Sequence, residues 1–402
     1  MTSYFNLRIF LEYTIALLTP SPQCDESLPQ CHNCIKHSVR CEFLLRSTTP
    51  TPRLLHHESS SSNTAAFESL DVPARNIPLQ LPKLNMLDLE LLYNYSTLTA
   101  TTLQNDTLLQ TIMKINVPEL GFLHPFVMRG ILALSALHMA RLKPEMEAVY
   151  TTLAMQHHQI GLPVATSSLG NLTEGNCSAV YIFSTLTLYF TLASPRKPGD
   201  ILIPGEYDTP DWMSLLKGTG FLFRNSQEWL MAGPFGPVFE AGRKRSQVRD
   251  KSVAILAPDH DPFVTLDEFI ETRAIPHQLK DIYTPAINSL RRTYAFLFEQ
   301  NQGLESSDIF IWFFRLEDEY LEVLRQRTQE ALIIYAYSSV ILHRLDHHWW
   351  LKGWALQVIS TIFHTINEDL RKCTSDPFNT FIFAKFKEPR VIQECFESAD
   401  VV

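Results

Sequence analysis

Residues 125 to 141, PFVMRGILALSALHMAR, constrain the fold of this chain more than any other stretch. Pro125 suits the first turn of a helix, where its missing N–H would have no partner anyway. The residues after it are apolar on nearly every face of a 3.6-residue repeat, so the helix they form has no solvent side and belongs at the centre of a bundle. Other segments supply the partners. MLDLELLYNYSTL (86 to 98) places Leu87, Leu91 and Tyr95 at helical spacing. Ala179 to Ala193 has the β-branched content of a strand and the length of a buried helix. Further helical patterns run at about 211–232, 279–300, 311–326, 328–345 and 348–371. No alternating strand-and-turn series and no internal repeat occurs. The expected fold class is all-α.

The rest of the chain divides into four zones. Residues 1–23 are apolar and then broken by proline. Residues 24–43 hold a cysteine cluster. Residues 44–82 are rich in Ser, Thr and Pro, with little to bury, and read as a flexible linker. Residues 83–402 form the helical domain. With 45% hydrophobic residues among 402, a sizeable core can form, and only 14 glycines argue against folds built on phosphate-cradling loops. A net charge of −9 means that any nucleic-acid contact must come from a local basic patch. Residues 1–20 resemble a signal peptide superficially, but Glu12 interrupts the apolar run and Arg8 is its only early positive charge. Ala179–Ala193 is short of the roughly 20 apolar residues of a membrane span. The chain reads as soluble.

Seven cysteines are present, four of them within Cys24 to Cys41, while Cys177, Cys373 and Cys395 are scattered through apolar surroundings. Clustering and an odd total fit a reducing compartment better than a disulfide framework. The spacing is Cys24-x6-Cys31-x2-Cys34-x6-Cys41. A Cys-x2-Cys turn presents two thiolates to one tetrahedral zinc, and two flanking thiolates complete four ligands. Metal binding would replace the core that so short a segment lacks. The alternative is four reduced, unliganded thiols.

CDESLPQCHNCIKHSVRCEF resembles the second half of the fungal binuclear zinc cluster, in which six cysteines share two zinc ions. Pro29, the pair Cys31/Cys34 and Phe43 all suit that family, which would make Cys24, Cys31, Cys34 and Cys41 its third to sixth cysteines. The first pair should stand at positions 14 and 17, which hold Thr14 and Leu17. One zinc is therefore the most this segment can hold. The family's base-reading helix is rich in Lys and Arg, whereas LTPSPQ (18 to 23) has none and carries two prolines. From Cys24 to Cys41, Asp25 and Glu26 balance Lys36 and Arg40, so phosphate attraction is weak. Either the first residues derive from a misplaced start or unspliced segment, or DNA binding has been lost.

A second resemblance spans roughly residues 87 to 370. LGFLHPFVMRGILALSALHMARLKP (120 to 144), DWMSLLKGTGFLF (211 to 223) and VILHRLDHHWWLKGWALQVI (340 to 359) are similar to segments of sterol uptake control-type fungal regulators. That likeness implies an all-helical domain with an apolar pocket for a lipophilic small-molecule effector, dimer formation (homodimer or heterodimer), transcriptional activation and residence in the nucleus. It assigns no individual ligand residue.

Other features are weighed on chemistry alone. Trp350 and Trp354 fall on one face of a helix, a spacing that more often means packing than a ligand box. His343 and His347, at i and i+4, could bind a metal, but Asp346 points elsewhere on the turn and no HExxH pattern is present; surface or interface histidines are the expectation. His157 and His158, being adjacent, face different directions. AGRKRSQVRDK (241 to 251) is the one clear basic run, either a nuclear localisation or phosphate contact or a solvated loop between helices. LEDEY (316 to 320) fans its carboxylates around a helix. With no nucleophile elbow, P-loop or dinucleotide fingerprint, the chain is not expected to be an enzyme. Two functions remain: a zinc-cluster-type transcription regulator of a metabolic or biosynthetic pathway, and a DNA-binding-deficient interaction protein that partners a complete regulator.

Overall fold

The computed structural model describes residues 85–196, 211–251, 261, 263–273, 275–299, 305–367 and 370. Among these residues every regular element is a helix, and no strand occurs. The four zinc-candidate cysteines, the linker and Cys373 and Cys395 lie outside the described residues.

The first helices are α1 (Met86–Thr97), α2 (Thr107–Lys114), α3 (Asn116–Leu123), α4 (Pro125–Leu142), α5 (Glu147–Gly170) and α6 (Glu174–Ala193). Pro125 stands in the first turn of α4, and the helix is buried without a break from Gly130 to Ala140. That is the all-round apolarity of the sequence expressed as position. α5 returns antiparallel along α4: Lys143 meets Tyr150 at one end, and Gly161 lies against Phe126 at the other. A Cβ on Gly161 would stand 3.1 Å from the Phe126 carbonyl, so the close approach depends on its absence. α6 is a helix throughout, opened by a capping box between Thr173 and Asn176. It is the one described helix long and apolar enough to cross a membrane. Neighbouring helices bury most of it, with Phe183 and Leu186 packed over Gly130, and that burial accounts for its hydropathy.

The second group is α7 (Asp211–Asn225), α8 (Gln227–Ala232), α9 (Gly236–Lys251), α10 (Val264–Thr272), α11 (His277–Glu299), α12 (Ser306–Arg315), α13 (Asp318–Arg325), α14 (Gln329–His343) and α15 (Trp354–Thr365). α14 is buried from Ala331 to Leu342 and fills the same role here that α4 fills in the first group. Trp212 of α7 stands edge-on to Phe310, Phe313 and Trp354, at 6.1, 5.1 and 5.9 Å, in the favoured geometry of aromatic quadrupoles. Gly220 of α7 has no room for a side chain, since a Cβ there would fall 1.8 Å from the Phe314 ring.

Several boundaries differ from the sequence reading, and the pattern at 211–232 is two helices parted at Ser226. The pattern at 311–326 is two helices, because Leu316 and Glu317 take extended backbone between them. The pattern at 348–371 begins only at Trp354, after a run of turns. Gly353 takes φ +80°, which breaks the helical path, and its N–H is held by the Asp346 carboxylate at 2.6 Å. Trp350 and Trp354 therefore share no helical face. The basic run 241–251 is the second half of α9 and not a loop.

Candidate functional site

Cys24, Cys31, Cys34 and Cys41 are not among the described residues, so their coordination remains a sequence expectation. Among the described residues, no three His, Cys, Asp or Glu side chains are grouped to hold a metal ion. Cys177 is buried, and burial pushes its thiol above the usual range. His343 is the last residue of α14, whereas His347 lies in the following turns, its ring 4.1 Å from that of His348. The end of the helix removes the i, i+4 relationship that a shared metal needs.

The sequence did not expose a buried polar seam where α1, α4 and the 345–353 turns meet. Asn94 donates from Nδ2 to Thr99 at 3.0 Å and to Ser135 at 2.9 Å, and Ser135 donates to the Leu91 carbonyl at 2.7 Å. Thr99 shares a 2.9 Å hydrogen bond with His138 Nδ1, and the His138 ring stacks on Trp349. Trp349 donates from Nε1 to Thr102 at 2.8 Å, and Gln104 donates to Tyr189 at 2.9 Å. Burial holds His138 and His348 neutral, each pushed down to about 4. Such a seam fixes which helices may neighbour one another, because each buried donor or acceptor would be costly if left unpaired.

His157 and His158 do face different directions, but both are buried. His157 accepts from Arg129 at 2.9 Å on Nδ1 and lies 3.4 Å from Asp88 on Nε2, so the neutral ring bridges α1, α4 and α5. Desolvation lowers its pKa first, Asp88 opposes that, and Arg129 adds to it. His158 stacks on Phe190 with centroids 4.2 Å apart, and burial pushes it down to about 4.

The basic run contributes to the interior as well as to the surface. Arg245 forms two hydrogen bonds with the Asp308 carboxylate, and Arg249 stands 3.7 Å from it. Asp308 also accepts from the Glu305 backbone at 3.0 Å, within a capping box that starts α12. Glu305 in turn accepts from the N–H groups of Asn105 and Asp106 at 3.1 and 2.6 Å, tying α12 to the start of α2. Burial raises the Glu305 carboxyl, and the hydrogen bond that Arg245 donates to Asp308 raises Arg245. On the same helix Arg243 and Lys244 remain outside, both paired with Glu240. The spacing of 245 and 249 puts both on one side of α9; that the side faces a buried carboxylate was not legible without knowing where Asp308 lies.

A groove of about 320 Å3 opens between α11 and the corner joining α12 to α13. It is lined by Ile282, Leu316 and Tyr320 beside Arg292 and Arg315. The carboxylates of LEDEY stay at the surface, as the fanning argument expects: Asp318 is 94% exposed.

No protein-family model matches the chain. It is similar to a Zn(2)-C6 fungal-type transcription factor of Gibberella zeae, 22% identical over 395 residues, covering 82% of this chain and 76% of that protein. It is similar to Sterol uptake control protein 2 of Candida albicans, 29% identical over 136 residues, which are 34% of this chain and 18% of that one. A Zn(2)-C6 fungal-type transcription factor of Aspergillus fumigatus is 23% identical over 211 residues, 51% of this chain and 52% of its own length. The matched region thus spans about half or less of two of these three curated relatives.

Proposed function

We propose that this chain, a relative of fungal Zn(2)-C6 transcription factors, is a nuclear transcription regulator that controls a metabolic or biosynthetic pathway. The observation that carries the reading is the joint occurrence of those relatives and a domain whose described residues form helices and no strand. On this reading Cys24, Cys31, Cys34 and Cys41 hold one zinc ion, residues 44–82 link that module to the helices, and the helical domain receives the signal. It performs no catalysis. Exposed apolar side chains support the dimerisation that the family resemblance implies: Phe122 and Leu123, at the end of α3, stand 69% and 75% exposed.

A second reading is favoured by a specific observation. Arg245 and Arg249, the inner part of the one clear basic run, are committed to Asp308, and residues 18–23 carry no Lys or Arg. Those features suit an interaction protein that acts by partnering a complete regulator. A mobility-shift titration of the full chain on duplex DNA, repeated over a range of salt, separates the two. Binding that weakens steeply as salt rises supports direct DNA recognition. Absence of a shift by the chain alone, with a supershift when a complete zinc-cluster relative is added, supports the partner role. Absence of both overturns the regulatory reading.

A further inference from the structure

Helix α5 packs on α4 along one side and turns an uncharged face outward on the other. From Val149 to Gly170 it carries no Asp, Glu, Lys or Arg. The outer face of a surface helix is ordinarily charged, because those four residue types are the ones that stay in water. Here Val149, Ile160 and Val164 stand 46%, 54% and 51% exposed instead, with Leu153 half-buried between them. At 3.6 residues per turn the four fall within about 60° of one another, in a stripe about 22 Å long.

Helix α1 widens that stripe. Asp88 stands 3.4 Å from His157, and Glu90 accepts from the Tyr150 hydroxyl at 3.3 Å, which fixes the start of α1 beside the first half of α5. On its outer side α1 exposes Leu89 and Tyr93, four residues apart and so on one face. The charges at the junction answer one another, Asp88 with His157 and Arg129, and Glu90 with Lys143. A monomer scatters its exposed apolar residues singly, whereas these are gathered over two adjoining helices. An interface of standard size takes ~800 Å2 from each partner, and this surface supplies the apolar centre of such an area.

The spacing specifies the partner. Val149 and Val164 are equidistant from the midpoint between Gln156 and His157, and so are Leu153 and Ile160. Two α5 helices laid antiparallel about a two-fold axis at that midpoint bring Val149 against Val164 and Leu153 against Ile160, each pair twice. Gln156 is exposed beside the axis, where an uncharged donor and acceptor can pair with its own copy and hold the register. A membrane surface would call for Lys and Arg along the polar flanks of α5, and the helix has none there.

We propose that this face is an interface between two copies of the chain, with α5 antiparallel to α5 across a two-fold axis and the start of α1 flanking it on each side. The inference deepens the regulatory reading by giving dimerisation a surface, while the contact itself requires no DNA.

Sedimentation equilibrium of the full chain tests it. Expected is a dimer at micromolar concentration. Ile160→Glu sets an unpaired carboxylate against Leu153 of the second copy and weakens association at least about 100-fold. The register has its own test. Val149→Lys alone and Val164→Glu alone each weaken the dimer about tenfold or more, and the double variant restores it, because each lysine then faces a glutamate of the second copy. All three positions are exposed, so an unchanged circular dichroism spectrum is expected for every variant. A monomeric unaltered chain overturns the proposal, as does a double variant no tighter than either single one. A dimer that survives Ile160→Glu but is lost in Phe122→Glu places the contact at the end of α3 and overturns it too. None of these measurements involves DNA, so the regulatory reading stands or falls separately.

Discussion

His138 and Trp349 lie face to face, their ring centroids 4.5 Å apart and their planes 16° from parallel. The pair joins the middle of α4 to the turns before α15, and both rings are anchored on the same short segment: His138 on Thr99, Trp349 on Thr102. Trp349→Ala removes the stack and the indole hydrogen bond together, and a half-buried site of this kind should lose about 2 kcal/mol. Trp349→Phe keeps an aromatic face and loses only the hydrogen bond, about 1 kcal/mol. Urea unfolding of both variants, followed by circular dichroism, gives the two values. Equal losses would show that the hydrogen bond carries the pairing and the stack does not.

Acid should weaken the fold before the carboxylates are neutralised. Burial pushes His138, His158 and His348 down to about 4 in the folded chain. In the unfolded chain the same groups take up protons at about 6.5. Between those two values the unfolded state binds more protons, so stability rises with pH there. The contribution is complete above the unfolded value and is lost as pH falls toward the folded one. At about pH 5 each histidine can remove up to about 2 kcal/mol relative to neutral pH. His158→Phe keeps a ring against Phe190 and deletes one titrating group, so its stability should fall less steeply between neutrality and pH ~5. An unchanged slope would mean that His158 does not stay neutral in the fold.

The helices that the sequence announced most clearly are those whose pattern is decided by burial alone. α4 has Pro125 in its first turn and apolar residues on all sides, and nothing in its surroundings could make it an outer helix. α6 was balanced between strand and helix by its β-branched residues; the capping box at Thr173 and its length decide for helix. Where the reading missed, a side-chain partner decided, once from seven residues away and once from 63. Asp346 reaches the Gly353 N–H and delays α15, and Asp308 draws Arg245 and Arg249 inward from a run that suited a localisation signal, a phosphate contact or a solvated loop. Neither pairing leaves a periodic trace. The polar seam at Asn94, Ser135 and His138 was hidden for the same reason, because isolated polar residues in an apolar run look like imperfections until they meet.

Asp308 is fully buried and serves two arginines of α9, so Asp308→Asn should be far more damaging than its size suggests. The change removes the buried carboxylate that the Arg245 and Arg249 guanidinium groups share, a loss of about 3 to 5 kcal/mol. Arg243→Ala on the same helix breaks only a surface pair with Glu240 and should leave stability nearly unchanged. Thermal unfolding of the two variants side by side distinguishes them. A small effect of Asp308→Asn would place the strength of the α9–α12 contact in its apolar packing.

Zinc removal should separate the two ends of the chain energetically. No group of potential ligands occurs among the described residues, and the helical domain is closed by apolar burial, with α14 buried from Ala331 to Leu342. A strong chelator under reducing conditions should therefore release one zinc per chain, from Cys24, Cys31, Cys34 and Cys41, while the helical unfolding transition shifts by less than about 2 °C, the scale of an effect well below 1 kcal/mol in a domain of this size. Cys34→Ser should lower the zinc content in the same way without moving that transition. A large downward shift on chelation would mean that the metal, and not apolar burial alone, holds the helices together, since a ligand bound only to the folded state stabilises whatever unit it is part of.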